Sequence, residues 1–317
     1  MAAMATKSAR RSRKRWQRYS SRTFYLFVSP WLLGFALLTA LPLGYALAIS
    51  FTNFDGRSPR WRWVGWRNYA EIFGDADALA SLFRTLAFTA IAVPLMVVGG
   101  LGLAVLLNQR LKAVGLFRAI FFLPSVVPVV ATAIMWKLIF NRDVGILNEI
   151  LDLISIPPIA WLVDPNAFYA LVILILWGLG GGMVIMLAAL QGVPAELEEA
   201  AVTDGANRWQ VFRHVTVPMI SPVIFFQVVT GIIFTFQIVI QPLLLAQTGQ
   251  VGQVTHVPKS THLFMVQVYE EFFANNRYGY GSAMLWVFFL VILVVTLIVL
   301  RSSRLWVHYE VDSEAER

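Results

Sequence analysis

An all-α, polytopic membrane bundle of about six transmembrane helices is the fold class this sequence predicts, on three observations. First, 58% of its 317 residues are hydrophobic and only 14% are charged, with a mean hydropathy of +0.68. A soluble domain carries roughly a quarter charged residues. A chain this apolar cannot bury itself in its own core, so lipid must be its solvent. Second, six apolar stretches approach the roughly 20 residues that a helix needs to cross hydrocarbon. Third, Lys and Arg are spread unevenly over the connecting segments, as a fixed orientation requires.

The stretches are 24–51, 85–107, 119–140, 167–190, 222–246 and 283–300. Before the first lies a tail with Lys7, Arg10, Arg11, Arg13, Lys14, Arg15, Arg18 and Arg22, which holds much of the net charge of +7. Beside an apolar run, that charge is an orientation signal that keeps the N-terminus cytoplasmic, and not a nucleic-acid surface. Ala46-Leu47-Ala48 invites a signal-peptide reading, but the apolar run is about twice a usual signal core, so a retained anchor is expected. The segment from Asn53 to Arg84 dissents, with Arg57, Arg60, Arg62, Arg67 and Arg84 on what should be the outside; the more basic tail outvotes it. Its Trp61-Arg62-Trp63-Val64-Gly65-Trp66-Arg67-Asn68-Tyr69 reads as an aromatic belt with arginines reaching for headgroups, in preference to a surface for an external partner.

The next loop is short and basic, with Arg110, Lys112 and Arg118, as an inside loop is. The following one has Asp143, Glu149, Asp152 and Asp164 against Arg142 alone. Six spans then leave both termini and the 191–217 loop in the cytoplasm. Gly178, Gly180, Gly181 and Gly182 lie inside an apolar span and read as close helix packing. Lys137, near a span end, is expected to snorkel. There are no cysteines, which excludes disulfides and thiolate chemistry. His214, His256, His262 and His308 have no metal-ligand or catalytic partner at a telling spacing.

The 191–217 loop is a polar island between two very apolar stretches. Pro194 opens a helix without losing a needed hydrogen bond, and Glu196, Glu198 and Glu199 then favour the positive end of its dipole. Ala200 and Ala201 allow close approach of another backbone, and Gly205 ends the helix or permits a turn. A second helix over 207–215 places Trp209, Phe212 and Val215 on one face, expected to pack back on the bundle. Pro218 and Pro222 mark re-entry. Loops this long are usually functional, so a docking role is favoured over a mere connection.

Glu199-Ala200-Ala201, three residues, Gly205, nine residues, then Val215-Thr216-Val217-Pro218 resembles the EAA signature of permease subunits of binding-protein-dependent ABC importers. Val215 and Val217 stand where the family prefers Ile and Leu. The run through Asp204-Gly205-Ala206 is similar to the carbohydrate-uptake branch. Val64-Gly65-Trp66-Arg67-Asn68-Tyr69, Tyr280-Gly281-Ser282-Ala283-Met284 and Trp306-Val307-His308-Tyr309-Glu310 extend the likeness over nearly the whole chain. Arg84-Thr85 stands where the family often has Asn-Thr, so nothing is carried onto Arg84.

The resemblance implies a type I importer permease fold: a basic tail (1–22), a membrane domain (23–305) with its coupling segment at 194–218, and a cytoplasmic C-terminal tail (306–317). It implies that Glu199, Ala200, Ala201, Asp204, Gly205 and Pro218 form a coupling helix seated in a cleft of the ATPase. It also implies a heterodimer with a second permease, two ATPase subunits binding ATP and Mg, and an extracytoplasmic solute-binding protein. The chain has no G-x-x-x-x-G-K-[ST] run of its own, so it is expected to be non-catalytic. In the fifth span Gln227, Thr230, Phe234, Gln237 and Gln241 recur at helical spacing. Such a stripe suits a neutral polyhydroxylated solute, or else hydrogen bonds that hold the dimer together. Trp177 is a further path candidate. The rivals are an ion-coupled secondary transporter and a membrane enzyme, but no span carries a buried acid–base pair and no catalytic cluster is evident.

Overall fold

A computed structural model describes residues 21–58, 61–109, 112–246 and 256–308. Lys7, Arg10, Arg11, Arg13, Lys14, Arg15, Arg18, Arg60, Arg110, Tyr309 and Glu310 lie outside the described residues. The chain divides into two compact units, Met1–Ala48 and Ile49–Arg317. Helix α1 (Arg22–Ser50) supplies the described part of the first. Everything below concerns the second.

That unit is built from helices. Short α2 (Arg67–Gly74) leads into α3 (Ala76–Leu107), which Asp75 caps by accepting from the amides of Asp77 and Ala78. At 1.5 Å per residue α3 is about 48 Å long, enough to cross hydrocarbon with turns to spare. Then follow α4 (Val114–Phe122), α5 (Val129–Ile139), α6 (Ile146–Asp152), α7 (Asn166–Trp177) and α8 (Gly180–Gln191). The surface pair is α9 (Ala195–Thr203) and α10 (Arg208–Met219). After it come α11 (Ser221–Phe236), α12 (Ile240–Leu245), α13 (Phe264–Phe273) and α14 (Tyr278–Trp306).

Helices α1, α3 and α14 are each long and apolar enough to cross a membrane, and three bent helix pairs bring the total to the expected six if each pair is one span. The third bends by 101° between α4 and α5, because Pro124 and Pro128 cannot donate to the helical ladder. The fourth bends by 47° between α7 and α8. The fifth bends by 66° between α10 and α11, and its expected 222–246 run stops again at Gln237. Hydropathy registers apolarity and not continuity, so these breaks were invisible to it.

Helix α3 organises the unit. Three apolar cores form, and α3 enters all of them: Phe88 and Ala92 in the first, Ala78 and Val93 in the second, Ala104 and Leu107 in the third. Thr85, fully buried on α3, accepts the Phe264 amide at the start of α13 (2.8 Å), and Arg84 donates to the His262 carbonyl (2.9 Å). Arg84-Thr85 thus stitches α3 to the backbone that introduces α13.

Carbonyls freed at the breaks find side chains. Ser125 donates to the Phe122 carbonyl beside the first break; inside α11 Thr235 donates to the Gly231 carbonyl and to the Thr89 hydroxyl of α3. Lys137 donates to the Ala246 carbonyl at 2.5 Å. The lysine therefore closes the end of α12 and does not simply snorkel to solvent. Gly180 lets α8 meet the backbone of α4: a Cβ there would lie 2.0 Å from the Phe121 carbonyl oxygen. Gly180 thus serves close helix packing, as the sequence context of the cluster suggests.

At one end of the bundle Arg277 joins Glu71 of α2 to Glu271 of α13, and stacks 4.0 Å over the Tyr280 ring. Glu271 is buried, and burial pushes its carboxyl above the ordinary 4.5; Asp75 adds to this, while Arg277, Asn275 and Gln267 oppose it. Arg277 is held above its usual value: burial works against its charge, but the Glu71 hydrogen bond and the neighbouring acids outweigh it.

Two outcomes follow for the purified chain. Gly180→Val should lower the thermal midpoint by an overpacking cost of about 1–3 kcal/mol, whereas Gly178→Ala, with only an ordinary 3.5 Å contact, should leave it nearly unchanged. Folded Glu271 keeps its proton to a higher pH than the unfolded chain does. Its contribution is therefore fully present below about 4.5 and lost as pH rises through the raised value. Glu271→Gln should flatten that part of the midpoint-versus-pH curve; an unchanged curve would contradict the assignment.

Candidate functional site: a capped surface helix pair and a cavity behind it

The surface pair is shaped by capping. Pro194 stands at the N-cap of α9, followed by Glu196 and Glu198 in the first turn. The helix ends in a double reverse bond: Ala206 N–H to Ala201 carbonyl and Gly205 N–H to Val202 carbonyl, both 3.0 Å. This is the Schellman arrangement, which puts the next residue in the left-handed region. Gly205 has φ +89° and open space where a Cβ would stand. Glycine is required there by the backbone alone. Two residues on, Asn207 and Gln210 exchange side-chain and backbone hydrogen bonds in a capping box that starts α10.

One bond joins the two helices: Thr216 donates to the Glu198 carboxylate at 2.8 Å. The remaining motif residues face outward. Glu199, Ala200, Asp204 and Gly205 are exposed and Ala201 is half-buried. Leu197, Val202 and Trp209 are exposed with them. The outward surface is therefore partly apolar, with the Glu199 carboxylate at mid-helix and Asp204 at the C-cap.

The expected aromatic face is corrected here. Trp209 is 65% exposed, and the buried side of the second helix is Val211, Thr216 and Ile220. A π-turn over Phe212–Thr216 takes up an extra residue and rotates the face away from simple 3.6-residue spacing. Pro218 supplies the reason. It has no N–H for the His214 carbonyl, and the wider turn relieves the crowding that its ring would cause.

A cavity of about 200 Å³ lies between α3, α8 and α11. Gln227, Thr230 and Phe234 line it from α11, opposite Met96, Gly182 and Met186. The Gln227 amide nitrogen donates to the Gly182 carbonyl at 3.0 Å, and Thr230 bonds back to Phe226. The predicted five-residue stripe does not survive. Helix α11 ends at Phe236, so Gln237 is its exposed C-cap and Gln241 is buried in α12. Trp177 does not line the cavity; its ring packs against Trp136, 6.1 Å between centroids.

Other partnerships escaped the sequence reading. His262 Nε2 lies 3.0 Å from the Glu270 carboxylate, although no telling spacing announces it. Asn68, buried, donates to the Ser50 and Thr52 carbonyls, both at 2.8 Å, and so closes the end of α1. An asparagine among so many aromatics was the available signal. No group of His, Cys, Asp or Glu suited to a metal occurs among the described residues.

Residues 96–307 match the family of binding-protein-dependent transport system inner membrane components. The chain is 37% identical to the Probable ABC transporter permease protein YesP of Bacillus subtilis, over 92% of this chain and 93% of that one. It is 32% identical to the trehalose/maltose transport system permease protein MalF of Thermococcus litoralis, over 88% and 93% of the two chains. In fold it is similar to a chain of a bacterial ABC transporter that imports the acidic polysaccharide alginate, with TM-score 0.76, 20% identity and coverage of 90% and 96%. The secondary-transporter and membrane-enzyme alternatives fall with these matches. The chain belongs to the binding-protein-dependent transport system inner membrane components: it is a multi-pass, non-catalytic permease subunit of an ABC importer.

Proposed function

We propose that this permease carries a neutral sugar or related polyol, and that α9 delivers ATP-driven motion to the bundle. The carrying observation is the surface pair. Its first helix is held by caps at its own C-terminus and at the start of the next, and it presents Glu199, Ala200, Asp204 and Gly205 to a partner. Leu197, Val202 and Trp209 add apolar area that stays in water until something covers it. The partner is the ATPase subunit, two copies of which would bind the ATP and Mg. Ala201 completes the contact, and Pro218, with the π-turn before it, sets the angle at which α10 enters the membrane.

In this reading the termini and the 194–218 segment are cytoplasmic, on the Lys/Arg bias. The basic tail (1–22), membrane domain (23–305) and C-terminal tail (306–317) keep their assigned roles. A second, homologous permease closes the other half of the path, and an extracytoplasmic solute-binding protein delivers the solute. The cavity's amide, hydroxyl and ring are uncharged. Carboxamides bond hydroxyls and a phenyl ring stacks on a sugar face, and the name of the trehalose/maltose relative supports the same class. The path assignment narrows to Gln227, Thr230 and Phe234. Gln237, Gln241 and Trp177 leave it, because they sit on other elements or in packing.

In reconstituted complex, Glu199→Lys or Gly205→Asp should keep assembly but lower solute uptake per ATP hydrolysed at least about tenfold, the loss of roughly 1.4 kcal/mol of coupling. Normal uptake with both changes would sink the coupling role. Gln227→Leu removes one net hydrogen bond of about 1 kcal/mol and should slow sugar flux roughly fivefold. Unchanged flux would return Gln227 to a purely structural role.

A further inference from the structure

The residues that follow the end of α1 form a small, rigid, cationic-aromatic platform. Trp61, Trp63 and Trp66 are 52%, 66% and 71% exposed. They are not loose. Thr52 and Trp63 form an antiparallel bridge, the Arg62 amide donates to the Asn53 side chain, and buried Asn68 donates to the Ser50 and Thr52 carbonyls. Phe51 stacks on Trp63 at 5.4 Å and meets Trp66 edge-on at 5.1 Å.

Arg62 and Arg67 stand exposed among these rings and take part in none of the ion pairs of the described residues. The nearby carboxylates are already engaged: Asp55 accepts from Arg57 and Ser58, and Glu71 holds Arg277. The platform therefore offers exposed cations outside any ion pair of the described residues, and unburied indoles, a few residues after the end of a helix long and apolar enough to cross a membrane. Indoles favour the level where hydrocarbon gives way to headgroups, and guanidinium groups there meet phosphate. The arginine excess on a side that the orientation rule leaves poor in Lys and Arg has its physical reason in such a counter-charge.

We propose that this platform is an anionic-phospholipid site: Arg62 and Arg67 hold the headgroup phosphate, while Trp61, Trp63 and Trp66 sit among the ester groups beside it. The site fixes the depth of the external loop in the headgroup region, and it selects anionic over zwitterionic lipid.

The test uses the full chain in nanodiscs of phosphatidylcholine with a fifth, roughly, of phosphatidylglycerol. Each arginine near an anionic surface strengthens binding roughly fivefold, so Arg62→Gln with Arg67→Gln should reduce the phosphatidylglycerol retained in native mass spectrometry by roughly 25-fold at this site. Phosphatidylcholine retention should not change. Equal phosphatidylglycerol retention by the variant and the unaltered chain would overturn the proposal. A second measurement needs no variant: photoreactive phosphatidylglycerol should label peptides containing Trp61–Tyr69 of the unaltered chain. Absence of label there, with protection of the same peptides by the solute-binding protein, would assign the surface to a protein partner and overturn the lipid site.

Discussion

A backbone amide or carbonyl left without a partner in hydrocarbon costs several kcal/mol, and the architecture of this chain follows from that cost. Continuous helices meet it trivially, as in α3 and α14. Three of the six spans are broken, and a break frees carbonyls that water cannot reach. Side chains also bond backbone carbonyls in and around these broken spans: Ser125 bonds Phe122 at the first break, Gln227 bonds Gly182 on α8, and Lys137 bonds Ala246 at the end of α12. Broken helices are tolerated in membranes where they are sheltered by protein or line a path. Here α8 and α11 also line the cavity that holds Gln227 and Thr230.

The same accounting explains the surface pair. A nine-residue helix is too short to persist on its own propensity. It persists because its end is closed by the Gly205 turn and because Thr216 bonds Glu198 across the pair. Rigid caps leave the outward residues without structural duties. Glu199, Ala200 and Asp204 are thus exposed, and α9 is joined to α10 by a defined contact and a capped turn and not by a slack loop.

Much of this was legible in the residues. Six apolar runs gave six spans, and the Glu-Ala-Ala-x₃-Gly spacing located a helix that ends where it was expected to end. Gly205 was readable because a positive φ is a local property. The glutamine stripe was not, because it assumed one continuous helix from 222 to 246. The stop at Phe236 leaves only Gln227, Thr230 and Phe234 on a common face. The aromatic face of α10 failed for a related reason: the π-turn before Pro218 changes the period. The Glu71–Arg277 pair joins residues about 200 positions apart, and no local pattern carries that information.

The central claim is that the exposed face of α9 is where the ATPase subunit grips this permease. The chain has no cysteine, so Ala201→Cys introduces a single thiol, to be paired with cysteines placed one at a time in the surface cleft of the ATPase. The account predicts a disulfide in the assembled complex whose formation arrests uptake and whose reduction restores it. It would be contradicted if that thiol never cross-linked to the ATPase and instead reacted, in sealed cells, with a membrane-impermeant maleimide supplied from outside.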